Sequence, residues 1–407
     1  MVQYPSHRAP LVDLFSGCGG LSLGAHHAGF HVAAAFDNDP ILASSYPVNF
    51  PDTRLILRDV ATLTGEDLLE ATGGSIHGIF GGPPCQGFSD IGRRDPSDPR
   101  RQLVDHFFRI VAEAKPAFFV MENVRGLVYS DASAVLDRAL RRVKDEYTLL
   151  GPHIWDAAEF GAATKRARLF VVGVHKDQGE AVSLDDVITL KRPTATVQAA
   201  ISDLEDAVEE REEAGFDVWR IAHVGRPFEY ARRLRSPDRR FTGHRSTVHT
   251  NAVKKRFAKI AQGGIDEIGR HPRLSWAGQC PTLRAGTGSD RGSYQSVRPI
   301  HPDLPRVITG REAARIQGFP DAHFFHPTVW HSFRMIGNSV SPLIAEAIFT
   351  AIASRVPRPA HVSITPARLN GAFDAGAADL PDVRSDIKRY PARDTRTAGG
   401  ARARTPI

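Results

Sequence analysis

Four short stretches hold residues able to do chemistry. In "GGPPCQGFS" (81–89) a cysteine, Cys85, follows two prolines. A thiol with an ordinary pKa of about 8.5 needs activation or a receptive electrophile to react. Pro83 and Pro84 stiffen the loop and hold the thiol outward. Burial as an inert packing residue is the commoner fate of a lone cysteine, but a glycine- and proline-rich loop is a poor place for it. Glu122 ends the apolar run in "MENV". A carboxyl beside apolar walls has a raised pKa and can donate a proton, and a solvated strand-end acid is the plainer alternative. "TKRARLFVVG" (164–173) sets Arg166 and Arg168 two residues apart, on one face of an extended segment. The competing reading is an ordinary basic surface. "DLFSGCGGLSLG" (13–24) carries Gly17, Gly19 and Gly20, which let a ligand approach the backbone closely. Asp37, further on, can accept hydrogen bonds from a ribose. The spacing is not GxGxxG, and no basic residue follows to hold a pyrophosphate. A nucleoside cofactor without phosphates, such as S-adenosylmethionine, is favoured over a purely structural turn.

These residues share a position relative to the elements that carry them. Strands are expected over Leu11–Phe15, over "HVAAAFD" ending in acids at Asp37 and Asp39, over "TRLILRDV" ending at Asp59, over "IHGIFGG" before Cys85, and over "AFFVMEN" ending at Glu122. One more begins at Arg168. Helical patterns cover Leu21–Ala28, Arg101–Ala114 and Ala132–Lys144. The alternation predicts an α/β fold with a doubly wound, parallel, Rossmann-like sheet. Ligands of such sheets bind beyond the carboxyl ends of the strands, where all these residues fall. From about residue 190 the pattern changes, and 205–300 is polar, rich in Arg, His and Gly, and poorly periodic. "TGREAARIQGFP" predicts a short helix with Thr309 as N-cap and Glu312 completing a capping box. "SPLIAEAIFTAIASRV" predicts an amphipathic helix. The expected domains are 1–190 with 335–356, a smaller irregular domain over 191–334, and a disordered tail over 357–407.

Composition narrows the class. A chain of 407 residues is long for one core. No apolar run reaches the ~20 residues of a membrane span, and the N-terminus lacks a secretory h-region. Three cysteines without a CxxC pair argue against a disulfide framework or a structural zinc site, so a reducing cytoplasm is expected. The net charge of +6 is compatible with a nucleic-acid partner.

Together, "DLFSGCGGLSLG", "GGPPCQGFS", "ENV", "TKRAR", "REAARIQGFP" and "GNSVSP" resemble, in order, the motifs of the DNA (cytosine-5) methyltransferase family, over about residues 10–355. The resemblance implies transfer of a methyl group from S-adenosylmethionine to C5 of cytosine in double-stranded DNA. It implies Cys85 as the nucleophile that bonds C6, Glu122 as the group that protonates N3 and contacts the exocyclic amine, Arg168 on the base carbonyl O2, and Arg166 in support. Phe15 would stack on adenine, Asp37 bind the ribose, and Asp59 with Val60 meet the adenine edge. Ser16, Gly17, Gly19, Gly20, Leu21, Leu103, Asn338 and Ser339 would hold the methionine part, with Asn38 beside the nucleoside and Pro84 lining the cleft. Gln86 and Ser89 would fill the gap left by an extruded base or grip phosphate. Arg93, with Arg94, Arg100 and Arg101, would meet phosphates, and Thr282–Leu283 would belong to the recognition region. The family further implies a cytoplasmic bacterial monomer, the protecting partner of a restriction endonuclease that it does not stably bind. Two departures stand out: Thr164 replaces a usual glutamine, and Ser341 a usual proline. Cys18 and Cys280 are expected to be small packing residues. The rival readings are a tRNA cytosine-5 methyltransferase, a non-catalytic DNA-binding relative, and a thiol hydrolase.

Overall fold

The computed structural model describes residues 9–84, 102–129, 131–222, 225–286 and 297–357. Cys85, Gln86, Ser89, Arg93, Arg94, Arg100, Arg101 and the tail beyond residue 357 lie outside the described residues. The N-terminal part alternates β1 (Pro10–Leu14), α1 (Gly20–His27), β2 (His31–Asp37), α2 (Tyr46–Asn49), β3 (Arg54–Leu57), α3 (Gly65–Thr72) and β4 (Gly78–Gly81). Then come α4 (Leu103–Ala114), β5 (Phe118–Asn123), α5 (Asp131–Leu140), β6 (Tyr147–Asp156) and β7 (Ala167–His175). These strands form one seven-stranded sheet in the order β3-β2-β1-β4-β5-β7-β6. β1 to β5 run parallel, while β7 pairs antiparallel with both β5 and β6. β1 and β5 are buried at every position, as continuous apolar runs at the centre of a doubly wound sheet should be. The order reverses beside β1, which opens the crevice between the ends of β1 and β4.

Apolar clusters cover the two faces of this sheet. One contains Phe30, Phe80, Phe118 and Phe170 together with residues of α12 (Pro342–Arg355). The other centres on Phe107, Phe108, Phe119 and Tyr147. α12 lies against α1, so the end of the described chain returns to its beginning. It is buried on most sides rather than amphipathic, because it packs between elements instead of along the surface. With α11 (Val329–Asn338) it makes a stretch long and apolar enough to cross a membrane by length and composition, but that stretch is mostly buried inside the protein.

The second part holds α6 (Leu184–Ile188), α7 (Val197–Ile201), β8 (Ala207–Glu213), β9 (Phe216–Ile221), α8 (Glu229–Leu234), β10 (Arg240–Thr242), α9 (Asn251–Ala258) and α10 (Gly310–Gln317). β10-β9-β8 form a small antiparallel sheet in the stretch that sequence periodicity leaves unassigned. Its edge strand reads "AVEEREE" and shows no apolar alternation. Ion pairs from Glu210 to Arg220 and Arg240 hold it instead. The capping box of α10 forms as expected: Thr309 Oγ1 accepts from the Glu312 amide, and the Glu312 carboxylate accepts from the Thr309 amide. A third apolar cluster joins the two parts, bringing Cys18 and Ala163 together with Phe241, Leu283, Ile316 and Phe333.

Candidate active site

A cavity of about 440 Å³ opens at the carboxyl ends of β1, β2, β4 and β5. Phe15, Ser16, Gly17, Gly20, Leu21, Asp37, Asn38, Pro84, Leu103, Asn338 and Ser339 line it, together with Glu122 and Arg168. Local geometry explains several of these placements. Phe15 takes a positive φ of 63°, unusual for a bulky residue, where β1 gives way to the glycine turn. Gly17 also has a positive φ, +51°, and a Cβ there would meet nothing within 4 Å. Gly20 lies so close to Ser339 that a Cβ would collide with the Ser339 hydroxyl and the Val340 carbonyl. Asp37 is anchored by the amides of Gly17 and Asp39, each donating at 2.8 Å. Burial raises its pKa against those hydrogen bonds.

Glu122 sits at the end of β5, 9% exposed, and its Oε1 lies 3.1 Å from Arg168 Nε. The antiparallel β5–β7 pairing sets Asn123 opposite Leu169, which brings Arg168 to the end of the glutamate strand. Burial raises the Glu122 pKa, and the charges of Arg168 and Arg166 oppose the rise. The next residue, Asn123, donates to the carbonyl of Pro83 at 3.0 Å. The glutamate strand therefore holds the base of the loop that continues into Cys85.

Arg166 departs from the expected shared face. It precedes β7, is 1% exposed and does not line the cavity. Its guanidinium donates to the carbonyls of Leu283 at 3.1 Å and Gly337 at 2.8 Å. Thr164 keeps a supporting role without an amide, donating its hydroxyl to Cys280 O at 3.0 Å. Thr282 donates to Lys165 O at 2.6 Å, and the Leu283 side chain is buried in the core, so both members of this pair make internal contacts. Gly19, Asp59 and Val60 also stand apart from the cavity. Gly19 caps α1 in the left-handed region, Val60 is buried, and the Asp59 carboxylate accepts from the Ala61 amide at the start of a 3-10 turn. β3, whose end leads into Asp59, is the edge strand of the sheet, next to β2.

Several cavity residues were not found from sequence: Asp13, Asp39, Asn123, Arg334 and Met335. Arg334 reaches Asp39 at 3.3 Å and ties α11 to the end of β2. Gln317 donates to the carbonyls of Ile336 and Ser339, both at 2.8 Å, and Ser341 donates to Gln317 O at 2.7 Å. Ser341, in place of the usual proline, thus fastens the "GNS" turn to α10. His323 lies 3.0 Å from Cys18 O and braces the glycine turn from the other side. Only the motif strings themselves could have pointed to these residues, since their partners are distant in sequence. Cys18 and Cys280 are buried, and burial pushes the Cys18 thiol up to about 12. Among the described residues no group of His, Cys, Asp or Glu is placed to hold a metal ion.

The cavity suits a nucleoside with a polar appendage. An aromatic ring lies at one wall, and a carboxylate at the end of β2 can accept from ribose hydroxyls. The Ser16 hydroxyl is buried with no hydrogen-bond partner among the described residues, so it is left for a ligand or water. Residues 10–354 match the family described as C-5 cytosine-specific DNA methylase. The chain belongs to that family. It is 41% identical over 358 residues to the type II methyltransferase M.XorII of Xanthomonas oryzae pv. oryzae, covering 83% of this chain and 82% of the relative. It is 31% identical over 383 residues to M.DdeI of Desulfomicrobium norvegicum, covering 84% and 88%. A solved prophage-encoded protein of E. coli, described as a DNA modification methyltransferase, superimposes with a TM-score of 0.73 at 38% identity, over 85% of this chain and 98% of that one. The S. pombe Dnmt2 methyltransferase shares the fold, with a TM-score of 0.58 at 19% identity, over 85% of this chain and 99% of that one. As a C-5 cytosine-specific DNA methylase the chain is an enzyme, and the Glu122–Arg168 pair lines its cavity.

Proposed function

We propose that the protein methylates C5 of cytosine within a short double-stranded DNA sequence, using S-adenosylmethionine, and that it is the protecting methylase of a restriction–modification system. The observation that carries this reading is one arrangement. Glu122, with a raised pKa, pairs with Arg168 in the wall of a nucleoside-sized cavity, and Asn123 ties it to the loop leading into Cys85. The type II methyltransferases M.XorII and M.DdeI support the biological setting.

Asp37 would hold the ribose hydroxyls, Phe15 the base, and the turn from Ser16 to Leu21 with Asn338 and Ser339 the amino-acid end. S-adenosylmethionine supplies a methyl group carried on a sulfonium. The target cytosine must first leave the duplex, at a cost of a few kcal/mol. The Cys85 thiolate then bonds C6, and the electron pair displaced from the C5–C6 double bond makes C5 nucleophilic. Glu122 donates a proton to N3 and contacts the exocyclic amine, so negative charge does not build up on the ring. Arg168 holds O2 and keeps Glu122 oriented. Once C5 carries the methyl, a water molecule takes the C5 proton, the electron pair restores the C5–C6 double bond as the C6–S bond breaks to release the thiolate, and N3 returns its proton to the Glu122 carboxylate. Gln86, Ser89 and Arg93 would act on the DNA beside the extruded base. Arg166 would act as a positioning residue through the carbonyls of Leu283 and Gly337.

The test is to incubate the purified full-length protein with unmethylated genomic DNA and S-adenosylmethionine, then map 5-methylcytosine by bisulfite sequencing. Methylation confined to one short motif, lost in Cys85→Ser, is expected. Labelling of tRNA in a parallel reaction without DNA methylation would move the activity to RNA. Methylation by Cys85→Ser would sink the covalent mechanism.

A further inference from the structure

Basic side chains gather around Phe257 in the second part of the protein. Phe257 is the buried residue of α9, and the rings of His249 and His271 lie 5.3 and 5.7 Å from its ring. The Arg256 guanidinium lies over the same ring at 5.4 Å. His271 Nδ1 is 2.8 Å from the backbone oxygen of Arg298, which brings a further base to this place. Burial first, and then the charges of His271, Lys254, Arg298 and Arg256, lower the His249 pKa, so these groups share one neighbourhood. Its buried acid, Asp266, is occupied by Arg256, Oδ1 to Nε at 2.8 Å. Neither Lys254 nor Arg298 has an acidic partner among the described residues.

Arg298 is the more telling of the two. Its guanidinium lies over the Phe333 ring at 4.4 Å and 5.8 Å from that of Trp330, both on α11. Its Nε is buried and has no hydrogen-bond partner among the described residues. Burial lowers its pKa to about 10, so it stays charged at neutral pH. Stacking on aromatic rings offsets only part of the cost of desolvating a charge. A guanidinium held against two rings, with donors unused, is set to receive an oxyanion. His249 adds a donor. Its Nε2 accepts from the Val307 amide at 3.3 Å, so the neutral ring carries its proton on Nδ1, which has no partner among the described residues.

Position narrows the anion. Arg334, the residue after Phe333, lines the cavity, so Arg298 stands against the flank of the helix that walls the site. Lys254 is exposed, and His249, His271 and Arg298 are half-buried on separate segments. Donors spread in this way make an open surface, which suits a chain of phosphates better than one enclosed ion. We propose that His249, Lys254 and Arg298 form a phosphate-binding surface that holds the DNA backbone beside the cavity, through charge and not through base identity. This rests on the reading of the protein as a methylase of double-stranded DNA.

Fluorescence anisotropy on the full-length protein tests it across a range of NaCl. Two duplexes of equal length are compared, one carrying the motif that bisulfite mapping identifies and one lacking it. Arg298→Gln is expected to weaken both alike, by about 10-fold or more, as for a lost hydrogen bond to a charged group. It should also lower the slope of log K against log salt by about 0.9, the value for one phosphate contact. Should Arg298→Gln fail to fold, Lys254→Gln, at an exposed position, takes its place with the same fall in slope expected. Unchanged affinity and slope would make Arg298 a packing residue of α11 and overturn the inference. A loss confined to the motif-bearing duplex would overturn it too, since that would mean base reading. Calorimetry with inorganic phosphate separates the other source of the anion. Phosphate binding that disappears in the variant while DNA affinity stays intact would assign the surface to a free ion and overturn the DNA assignment. If the wild-type protein binds neither duplex, the DNA reading itself fails, a result distinct from a loss confined to the variant.

Discussion

At the residue scale, the proposed chemistry turns on a carboxyl whose pKa is raised by burial. Glu122 is buried at a strand end, and burial raises its pKa more than the charges of Arg168 and Arg166 lower it. A raised pKa makes a carboxyl a better proton donor to a ring nitrogen than a solvated one. Replacing it by glutamine keeps the shape and removes the acid. Glu122→Gln is expected to lower the single-turnover methylation rate by about 10²- to 10⁴-fold, with cofactor affinity little changed. A rate within a few-fold of wild type would show that N3 obtains its proton elsewhere. The "ENV" string made this glutamate legible in the sequence. Its partner was legible only as one of two arginines, because strand pairing between β5 and β7 decides which of them reaches it.

At the element scale, Arg166 acts as a joint. Its guanidinium bonds the carbonyl of Leu283, in an irregular segment of the second part, and that of Gly337, near the end of α11. Thr164 and Thr282 add hydroxyl bonds across the same seam. Losing two hydrogen bonds from a charged donor should cost about 3 kcal/mol or more. Arg166→Met is therefore expected to lower the urea midpoint and raise the KM for cofactor through the loosened Asn338–Ser339 turn. Arg166→Lys should not rescue it, since one ammonium lacks the planar fork that spans both carbonyls. A variant with wild-type stability and KM would show that the seam is held without this side chain. Alternating apolar and turn signals exposed the parallel strands to a sequence reading. β6 and the β8–β10 sheet escaped it, since β8 is held by ion pairs and not by an apolar face.

For the whole molecule, the consequence is acid sensitivity. His323 braces the glycine turn, and burial, helped by the charge of Arg311, holds its pKa down to about 3. Burial likewise lowers His326 to about 3 and His301 to about 4. Such a histidine costs nothing above pH 6.5, where both states are neutral. Below it the unfolded chain takes up protons that the fold refuses, so stability falls as pH drops toward the folded pKa. Each contributes a slope of about 1.4 kcal/mol per pH unit in that window. Asp13 and Glu122 have raised pKa values and act in the opposite sense, losing stability as pH rises through them. The comparison must therefore be differential. Between pH 6 and pH 4 the urea midpoint of His323→Gln should fall less steeply than that of the wild type. Parallel slopes would mean that His323 already carries a proton in the fold.

The sequence by itself determined the sheet class and the family, and it named the candidate reactive groups, because these depend on local patterns: apolar runs, glycine turns and short motifs. It also determined the capping box of α10, a contact three residues long. Only the tertiary structure decided which residues share the cavity. It set Asp59, Val60 and Gly19 outside the lining of the cavity, moved Arg166 and Leu283 into the frame, and brought in Asp13, Asn123 and Arg334. The reason is distance along the chain. Arg166 meets a carbonyl 171 residues away, and His323 one 305 residues away. Which side chain faces the cavity follows from strand order, register and the return of α12 onto α1, and no local pattern encodes these.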